Sequence, residues 1–145
     1  MTNPVLAAAT ALLLMISAAT TASQHQGETM NIKMTVAGQI ITAALEESQS
    51  ARDFFAMLPL TLPLEDYAGT EKIAYLPQRL TTQGAPKGMD PQVGDITYYA
   101  PWGNLAIFYR DFGYSAGLIK LGRIESGLAH LTAVPATSIT IEALE

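Results

Sequence analysis

Residues 95–111 read DITYYAPWGNLAIFYRD. Two apolar runs, 95–101 and 104–111, flank Trp102-Gly103. In the second run Leu105, Ile107 and Tyr109 alternate with Ala106, Phe108 and Arg110. A period of two places the two sets on opposite faces of a strand. The short Gly-containing connection predicts that the two runs pair. One face belongs to a core, and the other reaches a groove or solvent.

The pattern recurs outward. In MNIKMTV (30–36), Ile32, Met34 and Val36 alternate with polar residues. Ala37-Gly38-Gln39 supplies a turn into IITAAL (40–45), giving a hairpin. TSITIEAL (137–144) alternates cleanly at Ile139, Ile141 and Ala143. LIKLGRIE (118–125) alternates weakly, and Gly122 within it signals a bulge or a close backbone approach. In LTLPLEDYAG (60–69), Pro63 demotes the strand to an edge or bulged one.

One helix stands out. Ser48 or Ser50 starts it, with Ser50 as a capping residue and Asp53 near the positive end. Ala51, Phe54, Phe55 and Leu58 fall at helical spacing, and Pro59 stops it. EKIAYLP (71–77) reads as a helical turn at most. FGYSAG (112–117) reads as a turn and SGLAHL (126–131) as a short helix. The stretch 80–94, with three Gly and two Pro, is a long loop by composition, and long ordered loops often carry function. The connections are mostly too short for parallel crossovers. The expected fold is mainly β, a small closed antiparallel barrel with one or two short helices.

The ends and the composition bound the rest. Residues 5–19, VLAAATALLLMISAA, have the length of a signal-peptide core. Small residues follow, and cleavage after Ala22 or Ala19 fits them. MTNP lacks a basic residue. Residues 1–22 are therefore read as a signal peptide, 23–29 as a polar linker and 30–145 as the domain. The expected location is periplasmic or secreted, or cytoplasmic if translation starts at Met30. Apolar residues make up 49% and charged ones 14%, which excludes a disordered chain. The net charge is −5 and the eight Lys and Arg are scattered, which disfavours nucleic acid and leaves no membrane contact after cleavage. With no cysteine there is no thiolate chemistry. His130 has no partner type for a zinc site. No cofactor is assigned.

Gly113-Tyr114-Ser115-Ala116-Gly117 is a literal G-x-S-x-G. A nucleophile elbow needs a strand before the Ser and a helix after it. The β-like LIKLG follows instead, so the motif reads as a glycine-bracketed turn. Glu65, Asp66 and Glu71 gather around Tyr67, either as a solvated edge or as a carboxylate pair. Between 98 and 114 stand Tyr98, Tyr99, Trp102, Phe108, Tyr109, Phe112 and Tyr114, with Asn104 and Arg110 among them. Such a set lines either a barrel core or a concave ligand site. The candidate ligand-binding residues are Tyr67, Glu71, Tyr99, Trp102, Asn104 and Arg110.

The runs Leu64–Ile73, Gly94-Asp95-Ile96, Tyr99–Arg110 and Leu121-Gly122-Arg123-Ile124 together resemble the bacterial cyclophilin-like domain family, over about residues 30–145. The resemblance implies a small closed barrel with helices at its ends and no settled activity. Relatives joined to reductase modules imply a redox protein partner as one reading. Prolyl isomerase is another. True cyclophilins set an arginine beside an aromatic proline pocket, but their F-H-R motif is absent here, and Arg110 is only a loose match. The leading expectation is a binding module for a small molecule or a peptide.

Overall fold

The alternating runs become the first two strands, β1 (Asn31–Val36) and β2 (Gln39–Leu45). Ile32, Met34 and Val36 are buried, as the alternation requires. Ala37 and Gly38 form the two-residue turn, with φ of 50° and 76°. Tight hairpins need such positive φ values, and Asn tolerates them where Ala is strained. Ala37→Asn is expected to stabilise the chain by about 1 kcal/mol in chemical denaturation.

This computed structural model describes Pro4, residues 29–133, Pro135 and residues 138–144. The signal-peptide and linker readings lie outside the described residues, Pro4 and Thr29 apart. Among the described residues no helix is long and apolar enough to cross a membrane.

Helix α1 (Gln49–Ala56) is capped by Ser48, whose Oγ accepts from the Ala51 N–H at 3.1 Å. Ser48 has the extended backbone that a cap requires. Ser50, the expected cap, is buried instead and donates to the Thr81 carbonyl at 2.6 Å. Asp53 accepts from Thr81 N–H at 2.9 Å. Both residues therefore tie the helix to the long loop. Phe54 drives its inner face into the core.

The remaining strands are β3 (Leu60–Pro63), β4 (Glu65–Tyr67), β5 (Glu71–Tyr75), β6 (Gly88–Met89), β7 (Asp95–Tyr99), β8 (Asn104–Phe108), β9 (Ser115–Ala116), β10 (Leu118–Ser126) and β11 (Ser138–Leu144). A 3-10 turn spans Leu128–Leu131. Residues 71–75 are thus a strand and not a helical turn. The alternation was hidden because Lys72, a charged residue, belongs to the buried set with Ala74. Asp66 neutralises it at 3.3 Å.

The main sheet has nine antiparallel strands in the order β3-β11-β1-β2-β10-β7-β8-β5-β4. Its two edge strands, β3 and β4, are consecutive in the chain. They meet at Leu64, which is buried. One bent segment, 60–67, therefore pairs with β11 on one side and β5 on the other, and nearly closes the barrel. Pro63, which lacks an N–H, sits at that bend, where a missing ladder bond is tolerated.

The strands β5, β8, β7 and β10 bury apolar residues on both faces. Inside lie Ala74, Leu105, Ile107, Ile96, Tyr98 and Leu121, within the main core. Outside, Ile73, Ala106, Phe108 and Leu118 form a second, smaller cluster. The ribbon β6–β9 lies near it and contributes Met89. This is where the long loop goes. Buried Asp95 clamps the loop's end, accepting from Gln92 N–H at 2.8 Å and pairing with Arg123 at 3.0 Å.

Candidate functional site

A groove of about 230 Å³ opens on the outer face above the second cluster. Its floor is Ile73, Phe108 and Leu118, supplied by β5, β8 and β10. Its walls are aromatic. The tight turn after β7 places Trp102 over its own strand end, with Trp102 and Gly103 N–H both donating to the Tyr99 carbonyl. Gly103 takes φ of 71°, a conformation glycine adopts without strain. Trp102 then meets Tyr99 edge to face, with centroids 5.3 Å apart and planes at 75°. Tyr67 comes from the other side, on β4, at 5.6 Å and 85°. The three rings make a corner of nearly perpendicular faces. Trp102 and Tyr67 remain 47% and 43% exposed, so the corner faces solvent.

Polar groups are few. Asn104 starts β8 on the groove face and is almost fully buried. Its Nδ2 donates to the Leu105 carbonyl at 2.9 Å, and its Oδ1 receives no protein donor. A buried acceptor without a partner costs free energy unless something donates to it. Glu71 is the one charged side chain on the lining. Burial pushes its carboxyl above the ordinary range, and the nearby negative charge of Asp66 adds to this.

Asp66 itself belongs to a neighbouring cluster. The Tyr109 hydroxyl donates to it, and Lys72 Nζ lies 3.3 Å from it and 5.7 Å from the Tyr109 ring centre. The Tyr109 bond, with help from Lys72, holds Asp66 below its ordinary range. Loss of solvation and the same bond push Tyr109 up to about 12. The cluster is internally paired. It fixes the β4–β5 end of the groove and keeps a negative charge beside Glu71.

The shift of Glu71 has a sign that can be tested. Folded Glu71 holds its proton at a pH where the unfolded chain has lost it. Stability therefore falls as pH rises from the ordinary Glu value, about 4.3, through the raised folded value. Glu71→Gln is expected to raise Tm by roughly 1–4 °C at pH 7. The gain should vanish below about pH 4.

Of the six candidate residues, Tyr67, Glu71, Tyr99, Trp102 and Asn104 line this groove. Arg110 does not. The alternation placed it on the face of Phe108, but β8 ends at Phe108. The N–H groups of Tyr109 and Arg110 both donate to the Thr70 carbonyl, which turns the chain and leaves Arg110 exposed. Phe108 and Phe112, named in the aromatic set of 98–114, also line it, while the sequence reading missed Ala68, Thr70, Ile73, Ser115 and Leu118. The 71–75 alternation could have found Ile73; nothing local marks the others.

Ser115, centre of the G-x-S-x-G, sits in β9 and is followed by strand β10, so no helix N-terminus stands behind it. His130 lies in the 3-10 turn, off the groove lining. A second depression, about 490 Å³, lies between the start of α1 and the loop at 83–89, with Glu46, Glu47 and Lys120 on its lining. It has no aromatic residue on its lining.

The fold defines a class: a small, nearly closed antiparallel β-barrel, here with a shallow aromatic groove on one sheet face. The model of the Cyclophilin-like family matches residues 34–142. The chain belongs to that family. Among solved structures it is similar to the solution structure of the hypothetical protein AF2241 from Archaeoglobus fulgidus, with a TM-score of 0.60 and 17% identity. That match covers 83% of this chain and 99% of the other, and it supports the fold alone. No curated protein matches the chain.

Proposed function

We propose that this chain is a binding module whose outer-face groove holds a small molecule or a side chain of a peptide. The observation that carries this is the corner made by Tyr67, Trp102 and Tyr99 over an apolar floor, with Asn104, whose buried Oδ1 has no protein partner, on the same lining. Apolar walls with few convergent polar groups are what small-ligand sites have. Below about 300 Å³, the groove is smaller than most drug-sized sites and suits one ring or a short chain.

A thermal-shift panel of metabolite-sized molecules and short peptides tests it. A ligand at 100 times its Kd stabilises by about 2.7 kcal/mol, which a melting curve resolves. At least one compound should shift the native protein and not Trp102→Ala. A panel that shifts neither removes the support.

The isomerase reading loses its motive, since no arginine lines the groove among the described residues. A protease-coupled proline-peptide assay should show no acceleration. Among the described residues no surface feature favours a redox partner. We place the module's action after export, on the strength of the apolar 5–19 run and the small residues behind it. The mature N-terminus, read by mass spectrometry, should then be Ser23 or Thr20.

A further inference from the structure

We infer that the groove selects an organic cation that carries an N–H donor, an alkyl or arylalkyl ammonium, over neutral and anionic molecules of the same shape. This rests on the binding-module reading and names its ligand class. Three independent observations point the same way. The first is the aromatic corner: Trp102 meets both Tyr67 and Tyr99 at near right angles, so a group seated in it faces more than one ring. Ring faces are negative, and cations are attracted to them, most strongly where water is displaced. The second is charge. Glu71 is the single charged residue on the lining, and no Lys or Arg shares it. Lys72, the nearest buried cation, belongs to the opposite face of β5 and is held by Asp66. An anionic ligand would find no partner and one repelling carboxylate. The third is Asn104. Its Nδ2 is committed to the Leu105 carbonyl, which fixes the amide's orientation and leaves Oδ1 as an acceptor. Oδ1 is itself buried, so a ligand donor that displaces its cover would satisfy it.

The half-buried Glu71 fits the same picture. Its carboxylate is partly shielded from water, with no cation of the protein on the groove lining to pair with it. A bound ammonium supplies that pair. The floor of Ile73, Phe108 and Leu118 takes the apolar body of the ligand. A free amine and a lysine side chain of a peptide share this chemistry.

The test is calorimetric titration of the full chain with four probes built on one ring: benzylammonium, benzyltrimethylammonium, benzyl alcohol and phenylacetate. Benzylammonium should bind about tenfold more tightly than benzyl alcohol. Benzyltrimethylammonium should fall between them, because it keeps the charge and lacks the donor. Phenylacetate should be weakest. Glu71→Gln, which is expected to fold at least as well as the native chain, should erase most of the preference for benzylammonium over benzyl alcohol. Nα-acetyl-lysine methylamide then assigns the source: tighter than benzylammonium means a peptide side chain, weaker means a free amine, and both orders uphold the cation. If benzyl alcohol binds as tightly as benzylammonium, or Glu71→Gln leaves their ratio intact, the cation inference is overturned while the groove stands. If benzyltrimethylammonium matches benzylammonium, the donor requirement at Asn104 is overturned. If no probe binds, inference and groove fall together.

Discussion

Trp102→Ala should weaken any groove ligand by roughly 30-fold or more, while the protein stays folded. Central aromatic anchors cost about 2 kcal/mol or more when truncated, and 1.4 kcal/mol is a factor of ten in Kd. Trp102 is such an anchor, because it is the ring that both Tyr67 and Tyr99 contact. Its removal takes away the shared wall of the corner. The fold should survive. Trp102 is nearly half exposed and sits in a surface turn, and its two edge-to-face contacts are worth about 0.5–1.5 kcal/mol each beyond area burial. Binding by calorimetry and melting by circular dichroism separate the two effects. A variant that melts normally and binds as the native protein does would show that the corner is not the site.

Gly122→Ala should be the most damaging single-methyl change in the barrel. Gly122 pairs with Leu45 across β10 and β2 and with Ile96 across β10 and β7, beside a register shift between Lys120 and Gly122. A Cβ built there would overlap the Ala44 carbonyl oxygen and lie 2.8 Å from Leu45 Cα. Both are backbone atoms locked in the ladder, so no side chain can rotate away. The strands must separate or β10 must shift. Overpacking of this kind costs about 1–3 kcal/mol and occasionally more. Tm should fall by roughly 10 °C. A variant within about 2 °C of the native Tm would mean that β10 has slack the packing does not suggest.

Gly122 also shows how far a sequence reading reaches. A glycine interrupting an alternating run announced a bulge or a close approach, and both are present. The runs at 30–45, 104–108 and 137–144 announced the barrel for the same reason: one face meets a core and the other does not. Strand β5 escaped notice because each of its faces mixes types. Lys72 goes inward with Ala74, and Glu71 goes outward with Ile73. An inward lysine is tolerable only because Asp66, brought by another strand, pairs with it. That fact belongs to pairing and is invisible locally. The cap moved from Ser50 to Ser48 for a similar reason, since Ser50 was claimed by Thr81, far away in the chain. The site follows the same division. Tyr99, Trp102 and Asn104 lie within six residues and could be read together. Leu118 and Ser115 join them only through the antiparallel order β10-β7-β8 and the small β6–β9 ribbon. Arg110 was lost because alternation was extended past the true end of β8.

The central claim, that the outer-face groove is where this barrel binds its ligand, is tested most directly by adding benzylammonium chloride to nitrogen-15-labelled protein and following its amide spectrum. Trp102 is the single tryptophan, so its indole N–H signal is identified without ambiguity. The expected result is saturable movement of that signal and of the Asn104 side-chain NH₂, with Tyr67 and Glu71 among the backbone amides that move. Movement centred instead on residues 46–52 and 83–86, with the Trp102 and Asn104 side-chain signals fixed, would contradict it.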